Sequence, residues 1–265
     1  MANLVKYANT NSPGALPALI GWLDYGEEFI LSNVNNSANI VNNIPGGYKI
    51  SFTVSYFINP NEPTVTIKSF KPPVFNMNNI PFGGTAYKGI DGYVVIYMPE
   101  ATPEEYGNTT ITLTISNIAV TKNNNLVNDY IMVVADAETT NYSNRVQENW
   151  QATTNGGDWR LLDIMPSSNS GGMPPTIDGL GTKVVLETGI NESMSLVESP
   201  VYLTMAPSTL KFEFTTNHSR EGVALGIIIN QSPIIGPQCL ARKLKKVCRC
   251  GKQYYIFESE YNCCE

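Results

Sequence analysis

The sequence predicts an all-β fold, a two-sheet antiparallel sandwich of lectin-like or jelly-roll type with a short Cys-rich C-terminal extension. Three observations carry this. About a dozen short runs alternate apolar and polar residues or are apolar throughout, and turn-forming residues separate them at roughly 8–20-residue intervals. No stretch shows the apolar periodicity of an amphipathic helix of normal length. The composition, 42% hydrophobic and 15% charged, is that of a globular chain and excludes a disordered one. At 265 residues there is room for one large β domain with an appendage, or for two small domains.

Residues 1–18 read as an extended arm broken by Pro13, Gly14 and Pro17. Strands are expected at 20–25 and 28–34 around a turn at Gly26, and the Asn-rich stretch 35–43 reads as a loop. The cleanest alternation is at 48–58, with Tyr48, Ile50, Phe52, Val54 and Tyr56 on one face and Lys49, Ser51, Thr53 and Ser55 on the other. A turn over 59–63 then suggests an antiparallel hairpin with 64–70. Residues 72–92 form a long connection carrying Phe75, Phe82 and Tyr87, and loops of that length tend to be functional or well packed.

Further strands are expected at 93–98 and 109–115, with one helical turn over 99–106 and a polar turn over 122–125. Beyond 141, strands at 146–153 and 159–164 flank the turn Asn155-Gly156-Gly157-Asp158. A Ser/Gly/Pro loop at 166–175 leads to strands at 182–188, 200–205 and 209–214, and an apolar strand at 222–229 closes the body. The predicted organisation is a sandwich domain over 1–230, a linker over 231–238 containing Pro233, Gly236 and Pro237, and a basic Cys-rich tail over 239–265.

The stretch 129–141 stands apart. Residues 130–135 are apolar on both faces, as in a strand buried from both sides. Asp136 and Glu138 follow at a spacing of two, which puts them on one face of an extended chain. Buried carboxylates need cations, donors or a metal. One reading is a structural knot with an arginine, for which Arg220 is the candidate. The other is a ligand or calcium site in which Asn141 adds an oxygen.

Charge is unevenly spread. The chain carries −6 overall, but the tail has six Lys/Arg against three Glu, leaving the preceding residues at −9. An acidic body argues against nucleic acid as a partner. The basic run Arg242, Lys243, Lys245, Lys246 and Arg249 is expected to meet the acidic body or a neighbouring copy. All five cysteines, Cys239, Cys248, Cys250, Cys263 and Cys264, lie in the tail. They form no zinc-type Cys-x-x-Cys pair, and their odd number favours intermolecular disulfides over a closed internal set. The N-terminus lacks the pattern of a secretory signal, and no run approaches transmembrane length.

Several stretches resemble, in order, the non-repetitive lectin-like domain of CshA-type bacterial surface adhesins. They are Pro-Phe-Gly-Gly-Thr-Ala-Tyr-Lys-Gly-Ile at 81–90, Thr-Ile-Thr-Leu-Thr-Ile-Ser-Asn-Ile-Ala-Val at 110–120, and the Val-Val-Ala-Asp-Ala-Glu core within 130–141. Trp150, Leu161-Leu162, Gly179-Leu180-Gly181-Thr182 and Arg220-Glu221-Gly222-Val223-Ala224-Leu225-Gly226 complete the set. The resemblance implies a lectin-like β-sandwich on a bacterial surface, engaged in adhesion to host glycoproteins or other cells. The cysteine tail departs from that pattern and suggests a self-assembling unit, in a fibre or on a cell or spore surface.

Two function classes follow. One is a structural, adhesive surface protein whose copies are joined by tail disulfides. The other is a soluble glycan- or glycoprotein-binding module, with Asp136, Glu138, Asn141, Tyr87 and Trp159 as candidate contacts. Trp159, beside the Gly156-Gly157 turn, is the tryptophan expected to be most exposed; Trp22 and Trp150 are expected in the core. An enzyme is not expected. There is no Gly-x-Ser-x-Gly elbow, the single His218 has no evident partners, and the two carboxylates lack the rest of a glycosidase motif. No cofactor is expected other than calcium.

Overall fold

The computed structural model describes residues 2–8, 19–58, 65–72, 74–75, 81–82, 89–99, 109–137, 140, 148–165, 173–190, 198–216, 221–229, 244–249 and 252–257. The chain divides into two compact units, Met1–Ile229 and Asn230–Glu265. Among the described residues there is no α-helix, and none long and apolar enough to cross a membrane.

The first unit opens with β1 (Asn3–Leu4), β2 (Gly21–Trp22), β3 (Ile30–Leu31), β4 (Ser37–Ile44), β5 (Tyr48–Ile58) and β6 (Ile67–Phe70). Next come β7 (Val74–Phe75), β8 (Pro81–Phe82), β9 (Val95–Tyr97), β10 (Thr109–Lys122), β11 (Asn125–Val127) and β12 (Tyr130–Asp136). It ends with β13 (Asn149–Thr154), β14 (Arg160–Met165), β15 (Thr176–Asp178), β16 (Val184–Thr188), β17 (Ser199–Met205), β18 (Leu210–Thr216) and β19 (Gly222–Ile229).

Apart from β7 and β8, which form a small two-stranded sheet of their own, these strands form a two-sheet sandwich. The nine-stranded sheet runs β1-β4-β5-β10-β18-β13-β16-β15, with β11 beside β10. The eight-stranded sheet runs β14-β17-β12-β19-β9-β6-β3, with β2 beside β19. Alternation explains the core between them. Ile50, Phe52, Val54, Leu113 and Phe212 face inward from the larger sheet, and Met132, Val134 and Leu225 from the smaller. The smaller sheet is also closed on its outer side, where Val133, Ala135, Val201 and Ala224 are fully buried. A strand covered on both faces cannot alternate, which is why residues 130–135 are continuously apolar.

Two expectations fail here. The Asn-rich stretch 35–43 is not a loop: most of it is β4, an eight-residue strand. Its one fully buried amide, Asn42, is satisfied by the backbone of Asp24. Asn42 Nδ2 donates to the Asp24 carbonyl at 3.1 Å, and the Asp24 N–H donates to Asn42 Oδ1 at 2.9 Å. Nor does β5 pair with the segment after it. Its partners are β4 and β10, whereas β6 lies in the other sheet between β3 and β9. The alternation of both strands is real, but it does not say which sheet each joins.

Local turn chemistry sets the registers. Ile44 pairs with Tyr48, and Gly46 and Gly47 between them have φ of 85° and 78°, a region that glycine enters freely. A Cβ on Gly47 would meet Asn123 Oδ1 at 2.6 Å. Lys122 pairs with Asn125 around Asn123 and Asn124, with φ of 49° and 68°, the pattern of a type I′ hairpin turn. In β10 the pairing with β5 shifts between Ser116 and Ala119, at Asn117 with φ 55°. This bulge keeps apolar residues inward on both sides of it.

The N-terminal arm is part of the fold. Asn3 and Leu4 pair in parallel with Asn42 and Asn43, while Lys6 exchanges two 2.8 Å backbone hydrogen bonds with Trp22 of the other sheet. The arm therefore ties the two sheets at one edge, and Lys6 Nζ adds an ion pair to Asp24 at 3.4 Å.

The second unit contains β20 (Leu244–Arg249) and β21 (Lys252–Phe257), an antiparallel hairpin. Its register sets Lys246 opposite Tyr255, Cys248 opposite Gln253 and Arg249 opposite Lys252. The tail thus holds a hairpin that its cysteine and basic content had not suggested.

Candidate functional site

Four buried carboxylates of the body lie toward one end of the sandwich. Asp136 ends β12 and pairs with Val223 near the start of β19. Glu187 lies on β16 opposite Trp150 of β13. Glu148 immediately precedes β13, and Glu221 immediately precedes β19. All four are buried. Asp136, Glu148 and Glu221 engage further neighbours as well.

Asp136 and Glu187 come from opposite sheets and meet at Thr140, which is also fully buried. Thr140 Oγ1 is 3.0 Å from Asp136 Oδ2 and 3.2 Å from Glu187 Oε2. A hydroxyl has one proton to donate, so the two contacts are both good only if one acid is itself protonated. Glu187 is that acid. Burial, reinforced by the negative charge of Asp136, pushes its carboxyl well above the usual carboxylate range, and Tyr202 and Thr140 only partly offset this. The Thr140 hydroxyl thus stands between Asp136 and a carboxyl that burial holds toward its protonated form.

Tyr202 completes the cluster. Its ring stacks on Trp150 with centroids 5.9 Å apart, and the Trp150 indole N–H donates to the Gly222 carbonyl at 3.3 Å. Its hydroxyl lies beside Glu187 but off the line of a well-formed hydrogen bond. Burial above all pushes the Tyr202 phenol well above its ordinary value. The ensemble is a proton-sharing clamp between sheets. Among the described residues, no group of three or more His, Cys, Asp or Glu is arranged to hold a metal.

The outer face of the larger sheet has a different character. Ser51, Thr53 and Ser55 of β5 point outward beside Thr110, Thr112, Thr114 and Ser116 of β10. Ser55 pairs with Thr114, and Phe57 pairs with Thr112. Phe57 is 63% exposed. Strand β18 supplies Lys211 and Glu213, which form a 2.9 Å ion pair, and Gln151 of β13 donates to Glu213 at 2.9 Å. The alternation that defines these strands reveals the hydroxyl-bearing face; only the sheet order shows that these residues are neighbours.

The family model described as "Surface adhesin CshA non-repetitive domain 2" matches residues 18–229. This chain belongs to that family. The match ends at the same residue as the first compact unit, Ile229, so the body is a surface-adhesin domain, with an adhesive role at a cell surface or outside the cell. Among solved structures, the N-terminal domain of the Streptococcus gordonii adhesin Sgo0707 is similar at 6% identity and a TM-score of 0.39, over 88% of this chain and 66% of that chain. The family 11 xylanase from Neocallimastix patriciarum is similar at 7% identity and a TM-score of 0.26, over 74% of this chain and 95% of that chain. Neither likeness assigns a role to any residue here. No curated protein matches the chain in sequence.

Within the CshA-type domain the residues singled out from sequence have different fates. Asp136 is fully buried and faces Glu187 rather than solvent. Glu138, Asn141, Tyr87 and Arg220 lie outside the described residues, as do Cys239, Cys250, Cys263 and Cys264. Cys248 is placed by its backbone on β20.

Trp159 is not exposed, and that expectation is corrected. It is fully buried in the core between the sheets, with its indole N–H donating to the Lys183 carbonyl at 3.1 Å. The reason is topological. β13 and β14 belong to different sheets, so the turn between them is a crossing rather than a surface hairpin. Its glycines admit the backbone of Met205 and Pro207: a Cβ on Gly156 would sit 2.4 Å from the Met205 carbonyl oxygen. Glu187 and Thr140, by contrast, carried no signal in the sequence. Glu187 is an inward-facing acid in the run Val-Val-Leu-Glu-Thr, and its pairing with Asp136 is long-range.

Proposed function

We propose that this protein is an adhesive surface subunit whose copies are joined through the tail into a disulfide-reinforced fibre or layer on a bacterial cell or spore surface. The observation that carries the assembly reading is the tail hairpin of β20 and β21. It is a two-stranded sheet of six-residue strands in a 36-residue unit. A lone hairpin of this kind is marginally stable in water, and units below about 40 residues usually need disulfides, metals or oligomerisation.

The tail has the means for such a contact. Its hairpin carries Lys245, Lys246, Arg249 and Lys252 and no acidic residue, while the body is acidic. Charge steers such surfaces together, and an odd set of five cysteines leaves at least one thiol for an intermolecular bond. Partners are therefore other copies of this chain, together with glycoprotein or glycan surfaces.

Electron microscopy of undisrupted native material tests this reading. Filaments or sheets that disappear when residues 239–265 are removed support it. Dispersed single particles in the full-length material would overturn it.

A further inference from the structure

We propose that the outer face of the larger sheet, across β4, β5 and β10, is a platform for an uncharged polysaccharide or glycan, with Phe57 as its stacking residue. The proposal rests on the adhesive role of the domain and not on assembly through the tail.

Charge gives the first argument. Residues 1–238 carry a net −9, yet β4, β5 and β10 contain no Asp or Glu at all. These strands are neighbours in the sheet, so a predominantly acidic body presents a three-strand surface without carboxylates of its own, bordered by Glu213 of β18, which is ion-paired to Lys211. Exposed sheet faces ordinarily use charged side chains to stay soluble and unpaired. Here the outward residues Ser51, Thr53 and Ser55 of β5 and Thr110, Thr112, Thr114 and Ser116 of β10 are hydroxyls, with Phe57 among them. A neutral ligand suits this surface. An anionic polymer would meet the field of the body with few cations to offset it.

Side-chain stiffness gives the second. Threonine has a restricted χ1 and serine is short, so ordering this face around a ligand costs little. Several of these groups are already held: Thr53 Oγ1 donates to Asn39 Oδ1 at 2.8 Å, and Thr110 and Thr215 hydroxyls lie 3.2 Å apart. Each hydroxyl both donates and accepts, which matches the donor–acceptor character of sugar hydroxyls.

Phe57 gives the third. Its ring is 63% exposed, and its neighbour across the strand is Thr112. An aromatic face among hydroxyls provides an apolar surface for the C–H side of a sugar ring beside groups that fix its orientation. A protein interface would be expected to concentrate several aromatic, Met or Arg side chains at its centre, and this face has a single aromatic.

The test is affinity electrophoresis of the full-length protein through gels containing neutral polysaccharides (a β-1,4-glucan, a β-1,3-glucan, a mannan, a galactan) or anionic ones (carboxymethyl cellulose, hyaluronan). At least one neutral polymer is expected to retard the protein, and the anionic ones are not. Phe57→Ala is expected to weaken that retardation about tenfold. Thr114→Lys, which sets a long charged side chain mid-platform, is expected to abolish it with circular dichroism and thermal midpoint unchanged. Conserved fibre formation in Thr114→Lys would show that assembly stands apart from this face. The proposal is overturned by no retardation in any neutral polymer, by retardation that neither substitution alters, or by a concentration-dependent dimer that Thr114→Lys dissolves.

Discussion

Asp136 of one sheet and Glu187 of the other share the hydroxyl of Thr140, at 3.0 and 3.2 Å. The interior of the sandwich therefore holds two acids whose contact depends on one of them keeping its proton. A carboxyl whose folded-state value is raised takes up a proton on folding at intermediate pH. Its contribution is fully favourable below the unfolded carboxylate range and is lost as pH rises toward the folded value.

Glu187→Gln removes that dependence while keeping a donor toward Thr140. The substituted protein is expected to gain about 1–3 kcal/mol over the parent at pH 8, with a much smaller difference near pH 4. Urea unfolding at both pH values measures this. An equal shift at the two would mean that Glu187 does not carry the proton.

Thr140→Val deletes the shared hydroxyl and leaves a methyl between two carboxyl oxygens. A loss of about 1–3 kcal/mol is expected from the unsatisfied buried acceptors, with the protein remaining folded. Chemical denaturation checks it, and a neutral result would contradict the bridging role.

Trp159→Ala distinguishes a core tryptophan from a surface one. With the ring fully buried, the expected cost is about 3–5 kcal/mol, read as a fall in the thermal midpoint. A change within about 0.5 kcal/mol, the usual range for a surface substitution, would place the ring outside the core.

Gly156→Ala probes the crossing between sheets. The added Cβ would stand 2.4 Å from the Met205 carbonyl oxygen and 2.8 Å from Pro207. Relief requires backbone displacement, and a loss of about 1–3 kcal/mol is expected in denaturant titrations. An unperturbed midpoint would mean that the two backbones are not in close approach.

The sequence carried the elements better than their arrangement. The alternation of β5 and β10 and the continuous apolarity of β12 are local, and each follows from which faces are covered. Sheet membership is not local: β5 and β6 alternate alike but lie in different sheets, and β13 and β14 part at a turn that looks like a hairpin. Asn42 hid β4 because its amide is satisfied by Asp24, a partner eighteen residues away. The candidate site was half visible. Asp136 stood out behind its apolar run, whereas Glu187 became significant only when β16 was set facing β12. The family motifs reached further than periodicity because they preserve an order of segments that hydrophobic pattern alone does not encode.

The central claim is that this adhesin-type domain is linked to its neighbours through the cysteine tail. Electrophoresis of native material without and with reductant tests it most directly. A ladder of oligomers that collapses to monomer on reduction, and is absent when Cys239, Cys248, Cys250, Cys263 and Cys264 are all replaced by serine, is the predicted result. Monomer alone in the unreduced native material would contradict it.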